Sequence, residues 1–165
     1  MKEKLPLVLI PGLLSDATTW KQQIRHFGRS HEVIVPLRHL HEPTIAAMAT
    51  RILADLPERF ALVGWSMGGY ISFEIIRQAS ERIARLGLVS TSARPDKPEA
   101  APERRESVRI AHEFGAAVAW RQKMGLSFYR PERLSPETIA ELETMTDGLG
   151  AALYESQQEA IIARA

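Results

Sequence analysis

Cysteine is absent from this chain of 165 residues. Disulfides, thiol catalysis and thiolate metal sites are therefore excluded. Neither sign of charge dominates: 21 basic residues face 20 acidic ones, for a net charge of +1. No basic block stands out, so there is no electrostatic case for nucleic acid or an anionic membrane as a partner. Long hydrophobic runs are missing too. The amino terminus, MKEKLPLVLIPG, has an apolar run of about six residues, shorter than a signal peptide or membrane span requires. The expectation is a soluble, cytoplasmic protein. With 45% apolar and 25% charged residues, the composition is that of a globular chain long enough for one real core.

What is present is an alternation. Residues 5–10 form an apolar run ended by Pro11-Gly12, which reads as a strand buried on both faces. Ser15 or Asp16 can cap a helix carrying Trp20, Ile24 and Phe27 at helical spacing. EVIVP at 32–36 reads as a second strand. From Thr44 an amphipathic helix follows, with Ile45, Met48, Ala49, Ile52, Leu53 and Leu56 on one stripe and Pro57 after its end. Residues 60–63, 68–79 and 83–89 then read as strand, helix and strand. This order demands parallel strands joined by right-handed crossovers. The expected fold class is α/β, a parallel sheet with flanking helices.

After Ser90 the pattern changes. STSARPDKPEAAPERRES reads as a loop, and the remainder as helices at 103–114, 116–124, 135–146 and 151–165, with a break at 148–150. No later run resembles a strand. The division expected is residues 1–95 as a sheet core and 96–165 as a helical cap.

Gly64-Trp65-Ser66-Met67-Gly68 fits the G-x-S-x-G nucleophile elbow, and it falls between an expected strand and an expected helix. The serine of such a motif sits on a tight, strained turn, and the flanking glycines remove side chains that would clash. The turn lifts the hydroxyl above the carboxyl ends of the strands, and the following amide lies at a helix amino end that favours a developing oxyanion. Chance matches to five residues are common; the strand-to-helix context is what raises this one above them.

On these residues the chain resembles the α/β-hydrolase superfamily, in particular esterase-like members with a helical cap. LVLIPG is similar to that family's first central strand and oxyanion loop, ALVGWSMGG to its elbow, and RIARLGLVSTSARP to the strand and loop leading into the cap. The resemblance implies Ser66 as nucleophile and the Leu13 and Met67 amides as the oxyanion hole, with no cofactor and no metal. The family commonly has His-Gly where this chain has Pro11-Gly12. Trp65, Trp120, Met124 and Phe128, with Met67, would line an apolar acyl pocket, although aromatics and methionines at such spacing are more often plain core.

The base is harder to find. The resemblance implies an order of serine, acid, histidine, the last two after further strands that this sequence does not show. The chain therefore looks like the front part of a hydrolase, expected to be weak or inactive as it stands. His26 and His31 read as solvated turn residues. His39 and His41, in PLRHLHEP, read as a loop near the mouth of the site, and HLHE is only a weak metal signal. His112 reads as an exposed helix residue. Asp96 follows the fourth strand, where some members of the family carry their acid, but it has no histidine to orient. The fourth strand would be an exposed edge, so self-association through that edge or the cap is expected.

Three functions compete at this point. One is carboxylic-ester hydrolysis of a small molecule. Another is a pseudoenzyme or small-molecule-binding module. The last is a cofactor-free haloperoxidase or perhydrolase using the same elbow. No phosphate-binding G-x-x-x-x-G-K-[ST] or G-x-G-x-x-G follows the first strand, which argues against a nucleotide site.

Overall fold

The computed structural model describes residues 5–127 and 130–164. Four strands form a parallel sheet: β1 (Leu7–Ile10), β2 (Val33–Ile34), β3 (Phe60–Trp65) and β4 (Ile83–Val89). The helices are α1 (Lys21–Phe27), α2 (Ile45–Asp55), α3 (Met67–Ala79), α4 (Ala100–Phe114), α5 (Ala116–Ser127) and α6 (Pro136–Ile162). The spatial order of the strands is β2-β1-β3-β4. The chain leaves β1 for β2 on one side and returns to β3 on the other. That reversal opens a crevice between the carboxyl ends of β1 and β3, the place where open α/β sheets hold ligands.

Local chemistry accounts for the element ends. The Asp16 carboxylate accepts from Thr18 N–H at 2.7 Å and starts a short 3-10 turn that leads into α1. Thr44 Oγ1 accepts from Ala47 N–H at 3.1 Å and caps α2. At the other end of α2, the Arg82 guanidinium donates to the carbonyls of Leu53, Leu56 and Pro57 at 2.8–3.1 Å. These are the acceptors a helix end leaves unpaired. Ser135 caps α6 with Pro136 in its first turn. Gly150, at φ 81°, kinks α6, whereas Gly148 is accommodated in helix.

The core sits between the sheet and α2 and α3. Val8, Ile10, Ile45, Met48, Ala49, Ile52, Phe60, Leu62, Ile71 and Ile75 are buried in one cluster, and the end of α6 adds Ala160 and Ile161. Each large aliphatic there contributes about 1.5–3 kcal/mol relative to exposure. A second cluster joins Leu14 to Val108, Ala111, Ala119 and Tyr154, so the loop after β1 is clamped under the later helices.

β4 is an edge strand, as expected. Its sequence is that of an interior strand, yet Leu86, Leu88 and Val89 are exposed. Among the described residues, no helix is long and apolar enough to cross a membrane.

Candidate active site

Ser66 joins β3 to α3 with φ 54° and ψ −118°, a conformation L-residues adopt at a cost of about 1–3 kcal/mol. The glycines around it show why the sequence permits this. A side chain at Gly64 would meet Gly68 O and Ser72 Oγ at 2.3 Å, and one at Gly68 would meet Ile10 O at 2.4 Å. Helix α3 therefore lies directly against β3 and the end of β1. Ser72 Oγ donates to Gly68 O at 2.7 Å in that buried contact.

The bend is held from β4 as well. Ser66 N–H donates to Val89 O at 2.9 Å, and the Thr91 hydroxyl donates to Ser66 O at 2.8 Å. Thr91 comes so close that a side chain at Gly69 would meet it at 2.3 Å. Ser66 makes no side-chain bond to cap α3.

Among the described residues, three non-glycine residues have positive φ: Leu14 (49°), Ser66 (54°) and Ser90 (47°). All three line one cavity of about 460 Å³. Strain at non-glycine positions clusters at functional sites, and here it converges on the loop after β1, the bend after β3 and the end of β4.

Of the two residues expected to supply oxyanion amides, Leu13 lines this cavity, whereas Met67 follows Ser66 directly and is not among the lining residues. Met67 opens α3, where the first N–H groups have no intrahelical acceptor. Leu13 lines the cavity, and its N–H has no acceptor among the described residues, whereas the next amide, Leu14 N–H, donates to Gln157 Oε1 at 2.8 Å. Gly12 allows the approach: a side chain there would meet the Trp65 ring at 2.9 Å and Ser66 Cβ at 3.3 Å.

Trp65 and Trp120 do line the cavity. They also border a second cavity of about 670 Å³ on the side of Trp20, Leu142 and Met145, sharing Ser15 and Ser90 with the first. The side chain of Met124 and all of Phe128 lie outside the described residues. The Met67 side chain belongs to the core instead of the pocket, being 1% exposed. The chamber around Ser66 is also more polar than the expected apolar acyl pocket. Ser107, Arg104, Lys123, Tyr154 and Gln158 line it. These were missed because they come from three helices, α4, α5 and α6, that converge only in the fold; on α4, Glu103, Arg104 and Ser107 are spaced to share one helical face.

None of the five histidines lines the Ser66 cavity. His26 and His31 are exposed, the latter bonded to Ser30 at 2.8 Å. His112 is half-exposed and pairs with Glu155 at 2.9 Å. His41 is exposed. His39 departs from expectation: it is 1% exposed, and neither ring nitrogen has a partner. It borders a groove between the loop after β2 and α2, away from the mouth of the site. Burial holds its pKa down to about 4, so the ring is neutral. Among the described residues, no group of three or more histidines and carboxylates is gathered to hold a metal.

Asp96 has a different occupation from that of a catalytic acid. Its carboxylate accepts from Arg104 at 2.6 Å and from Arg164 at 3.2 Å. Arg164 stacks on the Tyr70 ring at 3.4 Å and donates to Arg94 O. This cluster ties the loop after β4 to α3, α4 and the end of α6.

The sequence matches the alpha/beta hydrolase family across residues 7–161. The chain belongs to that family. It is similar to a thermophilic esterase from Thermogutta terrifontis, with 30% identity and a TM-score of 0.83 over 97% of this chain and 64% of that one. The enol-lactonase from Burkholderia xenovorans matches at 23% identity and a TM-score of 0.80, over 98% of this chain and 66% of that one; at this identity the likeness is one of fold. Among curated proteins, a pimeloyl-[acyl-carrier protein] methyl ester esterase from Vibrio campbellii is 30% identical over 93 residues, 52% of this chain and 37% of that protein. The one from Pectobacterium carotovorum is 34% identical over 94 residues, 52% of this chain and 36% of that protein. This hydrolase-family chain thus spans less than two thirds of the length of these esterases.

Proposed function

We propose that the protein is a serine hydrolase acting on a carboxylic ester. In this reading Ser66 Oγ attacks the ester carbonyl carbon, and the oxyanion that forms is held by the N–H groups of Leu13 and Met67. Collapse expels the alcohol, which takes the proton, and leaves an acyl-serine that water later hydrolyses. The observation that carries the reading is the left-handed Ser66 at a strand-to-helix bend, opening on a cavity where the other strained residues meet. The esterase relatives support the reaction class. A cofactor-free haloperoxidase or perhydrolase would use the same bend.

A serine hydroxyl needs a base within hydrogen-bond reach, and no histidine borders the cavity. This chain alone is therefore a weak catalyst, its residual rate coming from the oxyanion amides and binding. The same observation favours a second reading, a small-molecule-binding module that retains the pocket and does not turn substrate over.

Incubation with a fluorophosphonate probe separates the two. The hydrolase reading predicts a covalent adduct on Ser66, found by peptide mass spectrometry and lost in Ser66→Ala. Absence of an adduct, under conditions that label an intact esterase, favours the binding module.

A further inference from the structure

Gln157, near the end of α6, is 0% exposed. Its side-chain oxygen accepts from Leu14 N–H at 2.8 Å, across 143 residues of chain. The oxygen faces Leu14 because a backbone N–H needs an acceptor there, and that assigns the orientation of the side-chain amide. The Nε2 of Gln157 is buried with no hydrogen-bond partner among the described residues. An aliphatic side chain of similar length would fill the space without burying an unpaired nitrogen. As filling, the glutamine is costly; as the acceptor for one buried amide, it has a use.

That amide belongs to the peptide between Leu13 and Leu14. The carbonyl of the same peptide, Leu13 O, accepts from Ser15 Oγ at 3.1 Å. The peptide is thus pinned at both sides, by its own loop and by α6. Leu14 follows it at φ 49°, a conformation that persists in a non-glycine residue only when the surroundings impose it. On the other side of Leu13, Gly12 lies against the Trp65 ring and Ser66. The Leu13 N–H is therefore held between two fixed points, beside the cavity that Leu13 and Ser66 both line. Tyr154, Gln157 and Gln158 are spaced to share one face of α6. Tyr154 and Gln158 line the cavity, and Gln157 grips the loop.

Resting on the hydrolase reading, we propose that Gln157 is a positioning residue for the oxyanion hole. It touches no reacting atom. Its oxygen fixes the peptide between Leu13 and Leu14, holds Leu14 in the left-handed region and keeps the Leu13 N–H aimed at the oxyanion that forms when Ser66 attacks. Without that acceptor the buried Leu14 N–H has no partner, and the peptide turns to find one. The Leu13 donor then leaves the place where charge develops, and the Met67 amide acts alone.

Gln157→Met tests this, because it keeps the length of the side chain and removes the oxygen. The expected result is that fluorophosphonate labelling of Ser66 slows about tenfold. Exchange of the Leu14 amide proton, followed by NMR, should be slow in the parent and at least about tenfold faster in Gln157→Met. Gln157→Glu, which keeps an oxygen at the same reach, should recover most of both. Ile52→Val, in the core on α2, is the control for stability alone. It should lower the urea midpoint and leave the labelling rate within about twofold. An unchanged labelling rate in Gln157→Met overturns the proposal, as does a rate as low in Gln157→Glu as in Gln157→Met. Fast Leu14 exchange in the parent also overturns it, and that reading does not depend on whether any variant folds. Absence of labelling in the parent sinks the hydrolase reading and the oxyanion role with it. Slow Leu14 exchange that is lost in Gln157→Met would then leave Gln157 as the anchor of the loop alone.

Discussion

Gly68→Ala tests the contact on which the site is built. The added methyl would lie 2.4 Å from Ile10 O, 2.7 Å from Pro11 O and 2.9 Å from Ile10 C. All three atoms are backbone, at the end of β1 and the start of the loop that carries Leu13, so no side-chain rotation relieves the clash. Alanine in place of glycine favours a helix by about 0.8–1.0 kcal/mol. Forcing a methyl into a closed contact costs about 1–3 kcal/mol, and more where backbone must move. Because the contacted atoms are backbone, the cost lies at the upper end of that range and the clash wins, for a net loss of about 2 kcal/mol. Gly148→Ala is the control, because nothing lies within 4 Å of a side chain there and Gly148 is helical. It should gain up to about 1 kcal/mol. Urea unfolding of both variants against the parent gives the two signs, read from the midpoint at unchanged slope. Gly68→Ala should also slow phosphonylation of Ser66, since the helix and the oxyanion loop are pushed apart. A Gly68→Ala protein as stable as its parent, with the same labelling rate, would refute the close packing of α3 on β1.

Thr91→Val keeps the shape but removes the hydroxyl that donates to Ser66 O; it should cost about 0.5–1.5 kcal/mol and slow Ser66 labelling, with Thr91→Ser recovering most of both. His39 gives a pH dependence. Its native pKa lies near 4 against about 6.5 unfolded, so between those values the unfolded chain binds the extra proton. The contribution is fully present above about pH 6.5 and is lost as pH falls toward 4, by up to about 3 kcal/mol. In urea titrations His39→Leu should flatten that segment of the stability profile, and an unchanged slope would contradict it. The exposed β4 edge, with Leu86, Leu88 and Val89 uncovered, should drive self-association; light scattering after size exclusion would show a clean monomer at low micromolar concentration if this is wrong.

The alternation of strands and helices was legible because each apolar run ends on a residue that cannot continue it, such as Pro11 or Pro57. The helices expected to begin at Thr44 and at residue 135 do begin there, with Thr44 and Ser135 as their caps. Boundaries shifted where tertiary pairing decides: the second strand shrinks to Val33–Ile34, and the third extends through Trp65 into the bend. Two glycines looked equally able to break the last helix, but only Gly150 takes a positive φ. Within the site, Ser66 was legible because glycines mark the space it needs. Leu14 and Ser90 carry comparable strain with no such mark, being imposed by the packing of their loops. His39 was misjudged because PLRHLHEP has the composition of a surface loop; its burial comes from the way that loop folds back on α2. The polar wall from α4 and α5 needs the helices to be placed over the sheet before its charges converge.

The central claim is that the Ser66 hydroxyl faces main-chain N–H donors at a strained bend. A crystal structure of the phosphonylated protein tests it most directly. The account predicts a phosphorus–Oγ bond at Ser66, with one phosphonyl oxygen about 2.7–3.1 Å from both Leu13 N and Met67 N. A phosphonyl oxygen turned to solvent, away from both amides, would contradict it.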